Sequence, residues 1–236
     1  MMRHFGVLIP STNTTVEIEY NRLLPPTLQA HVGRLGRGAN MPFFPSRPED
    51  IDYQARMLGS ARVEVVCLAQ TSASLFDDDY DAVTKRRMTE GAGVPSLTSA
   101  EAIGQAVRAL GARRIALVSP YSQEVSGRAQ RYFERRYGLE VMAMEGFGAT
   151  DSYAISALSA DRATEAFARI DRPEIEILVV PGGNFPTMQC IAEWERQFRK
   201  PVITTNQAAL WAMMGVMKIT TPLLGLGRLL EQMPAA

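Results

Sequence analysis

The chain has 236 residues, 46% of them hydrophobic, which is enough for one large α/β domain or two smaller halves and too apolar for a disordered or fibrous protein. Lys plus Arg and Asp plus Glu are equal at 25 each, so no overall field draws the chain to nucleic acid or to an anionic bilayer. The two cysteines, Cys67 and Cys190, and the two histidines, His4 and His31, fall in no CxxC or Cys/His spacing, which excludes a disulfide framework and a structural zinc.

In chain order, strand Phe5 to Ile9 is followed by a helix over Val16 to Leu24, strand Val32 to Leu35 by a helix over Glu49 to Ala61, and strand Val63 to Ala69 by a helix over Asp78 to Gly91. Strand Val94 to Thr98 then leads to a helix over Ala100 to Leu110, and strand Arg114 to Ser119 to a helix over Glu124 to Tyr137. After strand Leu139 to Met144 come a helix over Arg162 to Ile170, strand Ile175 to Val180, a helix over Thr187 to Arg199, strand Val202 to Thr204 and a last helix over Gln207 to Val216. Such alternation predicts an α/β fold with parallel sheets. The first apolar run is too short for a signal sequence and no span reaches membrane length, so the expectation is a cytoplasmic protein with no membrane partner.

The second half repeats the first. Val63 to Gln70 lies against Ile175 to Gly182 at an offset of 112, Phe5 to Pro10 against Ile115 to Pro120 at 110, and Pro95 to Ser99 against Pro201 to Thr205 at 106. The expected architecture is therefore two pseudo-symmetric Rossmann-like halves, 1–112 and 113–236, with the C-terminal helix packing back on the first. Ligands of open parallel sheets lie beyond the carboxyl ends of the strands. A cleft is thus expected where Gln70 and Gly182 face each other.

The pieces Val7 to Glu17 (VLIPSTNTTVE), Thr71 to Ser74, Ala116 to Tyr121, Gly182 to Thr187 and Pro201 to Ala208, in this order, resemble the aspartate/glutamate racemase superfamily. The similarity is to its branch of maleate cis-trans isomerases and arylmalonate decarboxylases. It implies a cofactor-independent isomerase or decarboxylase that holds a small carboxylate, stabilises an enolate-like intermediate, needs no metal and self-associates as a dimer or tetramer. The resemblance also implies catalytic cysteines at the two matched strand ends, where this chain has Gln70 and Gly182. Cys67, within a strand, and Cys190, within a helix, read as packing thiols; Cys190 matters only if a helix N-terminus lowers its pKa.

Gln70, Tyr121 and Gly182 therefore stand as the catalytic positions, and Asn13, Thr71, Ser72, Gly183, Asn184, Ser152 and Asn206 as substrate contacts. With their hydroxyls and backbone N–H groups, Thr71, Ser72, Gly183 and Tyr121 together resemble that family's oxyanion pocket. Asn13 reads either as a ligand contact or as part of a helix cap in which Thr14 or Thr15 precedes Glu17; Asp151 and Ser152 also have cap positions. An amide is neither nucleophile nor proton carrier near neutral pH. Proton transfer is then left to Tyr121, a water, Glu17, Asp77 or Asp78. Arg34 or Arg37 offers charge for a second carboxylate, and Pro42-Phe43-Phe44-Pro45 a hydrophobic lid. Asp77-Asp78-Asp79 reads as a helix start that answers the macrodipole. Two alternatives stay open: a lyase or hydratase with chemistry altered by Gln70, and a non-catalytic carboxylate-binding protein.

Overall fold

The computed structural model describes residues 2–39 and 41–235. Its elements are β1 (Arg3–Pro10), α1 (Val16–Leu23), β2 (Leu28–Leu35), α2 (Pro48–Ser60), β3 (Val66–Leu68), α3 (Tyr80–Ala92), β4 (Ser96–Thr98) and α4 (Ser99–Ala109). The second half follows with β5 (Arg114–Ser119), α5 (Gln123–Tyr137), β6 (Glu140–Gly146), α6 (Ser152–Ser156), α7 (Ala160–Ile170), β7 (Ile177–Val180), α8 (Ile191–Phe198), β8 (Val202–Thr204), α9 (Thr205–Val216) and α10 (Arg228–Gln232). Two short 3-10 helices, Thr71–Leu75 and Met188–Cys190, precede α3 and α8.

The strands form two parallel four-stranded sheets of the same order, β2-β1-β3-β4 and β6-β5-β7-β8. Their registers carry the duplication residue by residue. Gly6 faces Val66, which faces Ser96; in the second sheet Ala116 faces Leu178, which faces Val202, as offsets of 110, 112 and 106 require. Every predicted strand and helix is present, although the β3 ladder is shorter than the run from Val63 suggests. Residues before it still bond to β1, with Gly6 N–H donating to Val65 O and Glu64 N–H to His4 O.

Alternation along the strands decides which core each face enters. Phe5, Val7, Ile9, Val65, Cys67 and Ala69 belong to a large core shared with the second half, whereas Leu8, Val66 and Leu68 pack with Leu35, Ile51, Leu58 and Met88 beneath α2 and α3. Each such side chain contributes about 1.5–3 kcal/mol by leaving water. The matched helices α4 and α9 pack on each other at the centre, and α9 buries nearly its whole circumference. Capping starts both after a strand end: Thr98 accepts from Glu101 N–H, and Gln207 Oε1 accepts from Thr204 N–H. As a result Ser99 and Thr205, their first residues, lie side by side below the strand ends.

The helix expected over Thr187 to Arg199 begins instead as a 3-10 turn, and α8 starts at Ile191. Its first N–H groups are taken by a side chain from outside the helix: Glu19 Oε1 accepts from Thr187 N–H and Met188 N–H.

Candidate active site

The loops after β1, β3, β5 and β7 meet around an inner cavity of about 40 Å³ lined by Pro10, Asn13, Ala69, Gln70, Thr71, Ser72, Tyr121, Gly182, Gly183 and Asn184, with Ser152 and Ile155 of α6 at one side and Phe43 as its roof. Above Phe43 opens a vestibule of about 200 Å³, whose walls include Arg37, Met41, Phe44, Ser46 and Asp151. Nine of the ten sequence-derived site residues line the inner cavity; Asn206 does not.

The backbone donors come in matched pairs. Among the described residues, the N–H groups of Thr71 and Ser72 bond to no acceptor in the chain, and neither do those of Gly183 and Asn184, their counterparts at an offset of 112. Successive free N–H groups at a strand end form a nest that attracts anions. Among the described residues the Ser72 hydroxyl is also without a protein partner, while Thr71 Oγ1 is 2.9 Å from Ser99 Oγ and 3.4 Å from Thr205 Oγ1. Gly182 N–H is occupied, donating to Thr205 Oγ1 at 2.7 Å.

Asn13 has both roles open in the sequence. Its Oδ1 accepts from Thr15 and Val16 N–H at 3.0 Å each, capping α1 in place of a threonine hydroxyl, and its Nδ2 has no protein acceptor among the described residues. Asn184 is fully engaged by protein: Oδ1 accepts from Thr14 N–H at 2.9 Å and Nδ2 donates to Ser152 O at 2.7 Å. Asn206 sits behind the cavity wall, where Nδ2 donates to Gly183 O and to Glu19 Oε2. It positions the Gly183 peptide and makes no contact with the cavity.

Gln70 is a loop anchor. Its Nε2 donates to Phe44 O at 2.9 Å, and its Oε1 accepts from Ser46 Oγ at 2.8 Å and Ser46 N–H at 3.3 Å, so both ends of the amide hold the segment that carries the roof. Gly182 has φ +114, a conformation that L side chains rarely adopt. A Cβ added there would lie 2.7 Å from Pro120 Cγ and 3.4 Å from the Tyr121 hydroxyl oxygen. Tyr121 thus brings its phenol close to where a side chain at 182 would point. Its ring meets Phe43 edge-on with centroids 5.2 Å apart, and burial pushes its pKa well above the ordinary phenol value.

The other proton carriers are elsewhere. Glu17 is paired with Arg34 on the outside of α1, and Asp77 and Asp78 line a different surface basin. Cys67 is wholly buried, and burial raises its thiol pKa. Cys190 is half-buried at the start of α8, yet burial and then Glu19 raise its pKa, so the helix terminus does not activate it. Arg34 spends its guanidinium on Glu17 and on the carbonyls of Ser11 and Asn13, which leaves Arg37 as the cation on the vestibule.

Sequence reasoning missed Ser99, Thr205, Ser46 and Glu19. The first two had a readable signal, since the offset of 106 ends both aligned segments on a hydroxyl residue.

Fold and site together define a duplicated α/β protein with a small polar cavity between matched strand ends. The family described as arylmalonate decarboxylase matches residues 6–230, and the chain belongs to it. A maleate isomerase of Nocardia farcinica is 25% identical over 98% of this chain and 96% of its own length, and an arylmalonate decarboxylase of Bordetella bronchiseptica is 27% identical over 87% of each. Among solved structures, a maleate isomerase variant from Pseudomonas putida S16 with maleate aligns with a TM-score of 0.87 at 26% identity, covering 98% of both chains. The branch and the α/β fold expected from the motifs agree with these findings. No helix among the described residues is long and apolar enough to cross a membrane.

Proposed function

We propose that the protein is a cofactor-independent decarboxylase acting on a small malonate-type dicarboxylate, with Tyr121 as the proton donor. The membership of the family and the relatives named for isomerisation of maleate and decarboxylation of arylmalonates support an enzyme that works on small carboxylates.

One observation carries the choice between those chemistries: among the described residues lining the inner cavity, Tyr121 is the only ionisable one, and its hydroxyl lies beside the position of a side chain at 182. Racemisation needs two groups that exchange protons, and thiol-mediated isomerisation needs a nucleophile. Decarboxylation needs neither. The bond between Cα and one carboxylate breaks, carbon dioxide leaves, and the electron pair forms an enediolate held by the N–H groups of Thr71 and Ser72 with the Ser72 hydroxyl. Tyr121 O–H then protonates Cα, and a solvent proton restores the phenol. Burial raises the pKa of the phenol, so Tyr121 is protonated at neutral pH and its proton is present when the strongly basic enediolate carbon forms.

The hydratase reading loses its support because both polar ends of Gln70 are held by residues 44 and 46. Division into functional halves at 112/113, self-association as a dimer or tetramer and a cytoplasmic location belong to the same proposal; self-association rests on family resemblance.

The test is ¹H NMR in D₂O with phenylmalonate, methylmalonate and maleate. The expected outcome is a monocarboxylate with one deuteron at Cα, formed by the wild type and not by Tyr121→Phe. Conversion of maleate to fumarate without consumption of either malonate refutes the proposal, and binding without turnover supports the non-catalytic alternative.

A further inference from the structure

A second charged concavity lies at the far end of the 3-10 helix that lines the active cavity. Helix α5 presents Arg128, Arg131, Tyr132, Arg135 and Arg136 at helical intervals of three and four, and this face borders a basin of about 440 Å³ closed on its other side by residues 74–78.

The charges in the basin do not balance. Arg135 pairs with Asp78 at 3.7 Å, Arg136 donates to the backbone carbonyl of Asp78, and Arg128 pairs with Glu124 at 3.1 Å. Arg131 has no acidic partner among the described residues, and Asp77 turns its Oδ1 to the N–H of Asp79 at 2.9 Å. The guanidinium of Arg128 lies 4.8 Å from the Phe76 ring centroid, and its Nε–H is buried without an acceptor. With Arg131 unpaired, the α5 side of the basin carries an excess of positive charge that an anion would offset.

The geometry points to a binding site for a phosphate dianion, free or as a phosphomonoester. Guanidinium groups fanning from one helix face reach several oxygens of a tetrahedral anion, whereas a single carboxylate offers two in one plane. The basin is walled by both halves of the chain, α5 from the second and residues 74–78 from the first. Its floor is fixed across that junction, because buried Asp81 of α3 accepts from Ser74 Oγ at 2.6 Å and from the Tyr132 hydroxyl. An anion bound here ties the halves together and so stabilises the folded chain.

Thermal unfolding and isothermal titration of the full chain, with chloride holding ionic strength constant, test the proposal with inorganic phosphate and with glycerol 3-phosphate. A saturable rise in melting temperature is expected for inorganic phosphate, for the ester, or for both, and the stronger arm identifies the source. Arg131→Ala, which has no ion pair to lose, should bind about tenfold more weakly with an unchanged melting temperature in the absence of phosphate; Arg135→Ala should also weaken binding. Ser72→Ala, altered in the active cavity, should titrate like the wild type. The proposal is overturned if neither compound shifts the transition beyond chloride, or if binding survives both Arg131→Ala and Arg135→Ala; loss in Ser72→Ala would then place the anion in the active cavity.

Discussion

Tyr121 is held neutral by its surroundings, and that fixes what it contributes: a proton to give and no negative charge to repel a dicarboxylate. Tyr121→Phe keeps the ring against Phe43 and removes only the hydroxyl, so kcat should fall by about 10²- to 10⁴-fold with little change in KM, measured by carbon dioxide release. A loss smaller than tenfold assigns the proton to water instead. Gly182 is constrained in a different way. With φ +114 and Pro120 Cγ 2.7 Å from the place of a Cβ, Gly182→Ala should destabilise the fold by roughly 1–3 kcal/mol, or several degrees of melting temperature. Gly182→Cys meets the same obstacle, so a single substitution does not install a working thiol here; a fully stable Gly182→Cys variant would contradict this. The residue types at the site were legible in the sequence because they follow strand ends at repeating offsets. Their partners were not: whether an asparagine caps a helix, faces a cavity or supports a neighbouring peptide depends on contacts such as that of Asn206 with Glu19, across 187 residues of chain.

The segment between β2 and α2 decides access to the site. As it stands the inner cavity has room for about three water molecules, less than malonate requires, so Phe43 must lift before substrate enters. The hydrogen bonds of Gln70 with Phe44 and Ser46 oppose that motion, each by about 0.5–1.5 kcal/mol. Gln70→Ala should therefore speed chymotryptic cleavage after Phe43 or Phe44 about tenfold or more without unfolding the protein; unchanged cleavage rates would show that Gln70 does not hold the loop. The lid itself could be read from its four consecutive apolar residues, Pro42 to Pro45, whereas its latch could not, because Gln70 and Ser46 are 24 residues apart and neither belongs to a periodic pattern. The same reasoning applies to the rest of the secondary structure. Long elements declared themselves by period, while α6, α10 and the two 3-10 helices, of three to five residues each, are too short to show one. Strand β2 begins at Leu28, four residues before its apolar run, because pairing with β1 and not side-chain pattern extends it.

At the scale of the molecule, the duplication was visible as three nearly equal offsets, but the groups that join the halves break the symmetry and were invisible. Glu19 is the chief of these. Its carboxylate, 2% exposed, links α1 to the second half through Thr187 N–H, Met188 N–H and Asn206 Nδ2. Burial raises its pKa from 4.5 to about 7, against the lowering effect of those three hydrogen bonds. Between these two values the folded chain holds a proton that the unfolded chain has released. Stability from Glu19 is therefore complete below about pH 4.5 and is lost as pH rises through 7, by up to about 3 kcal/mol. His31 acts in the opposite sense: burial and the neighbouring His4 lower its pKa, so its contribution is present above 6.5 and falls away on acidification. Comparing wild type with Glu19→Gln cancels the histidine effect. The difference in unfolding free energy, from urea titrations at half-unit steps, should shift against the wild type by about 3 kcal/mol between pH 4.5 and 7.5 and then level off. A difference that does not vary with pH would mean that Glu19 is ionised throughout, and that the joint between the halves is a fixed charge held by its three donors.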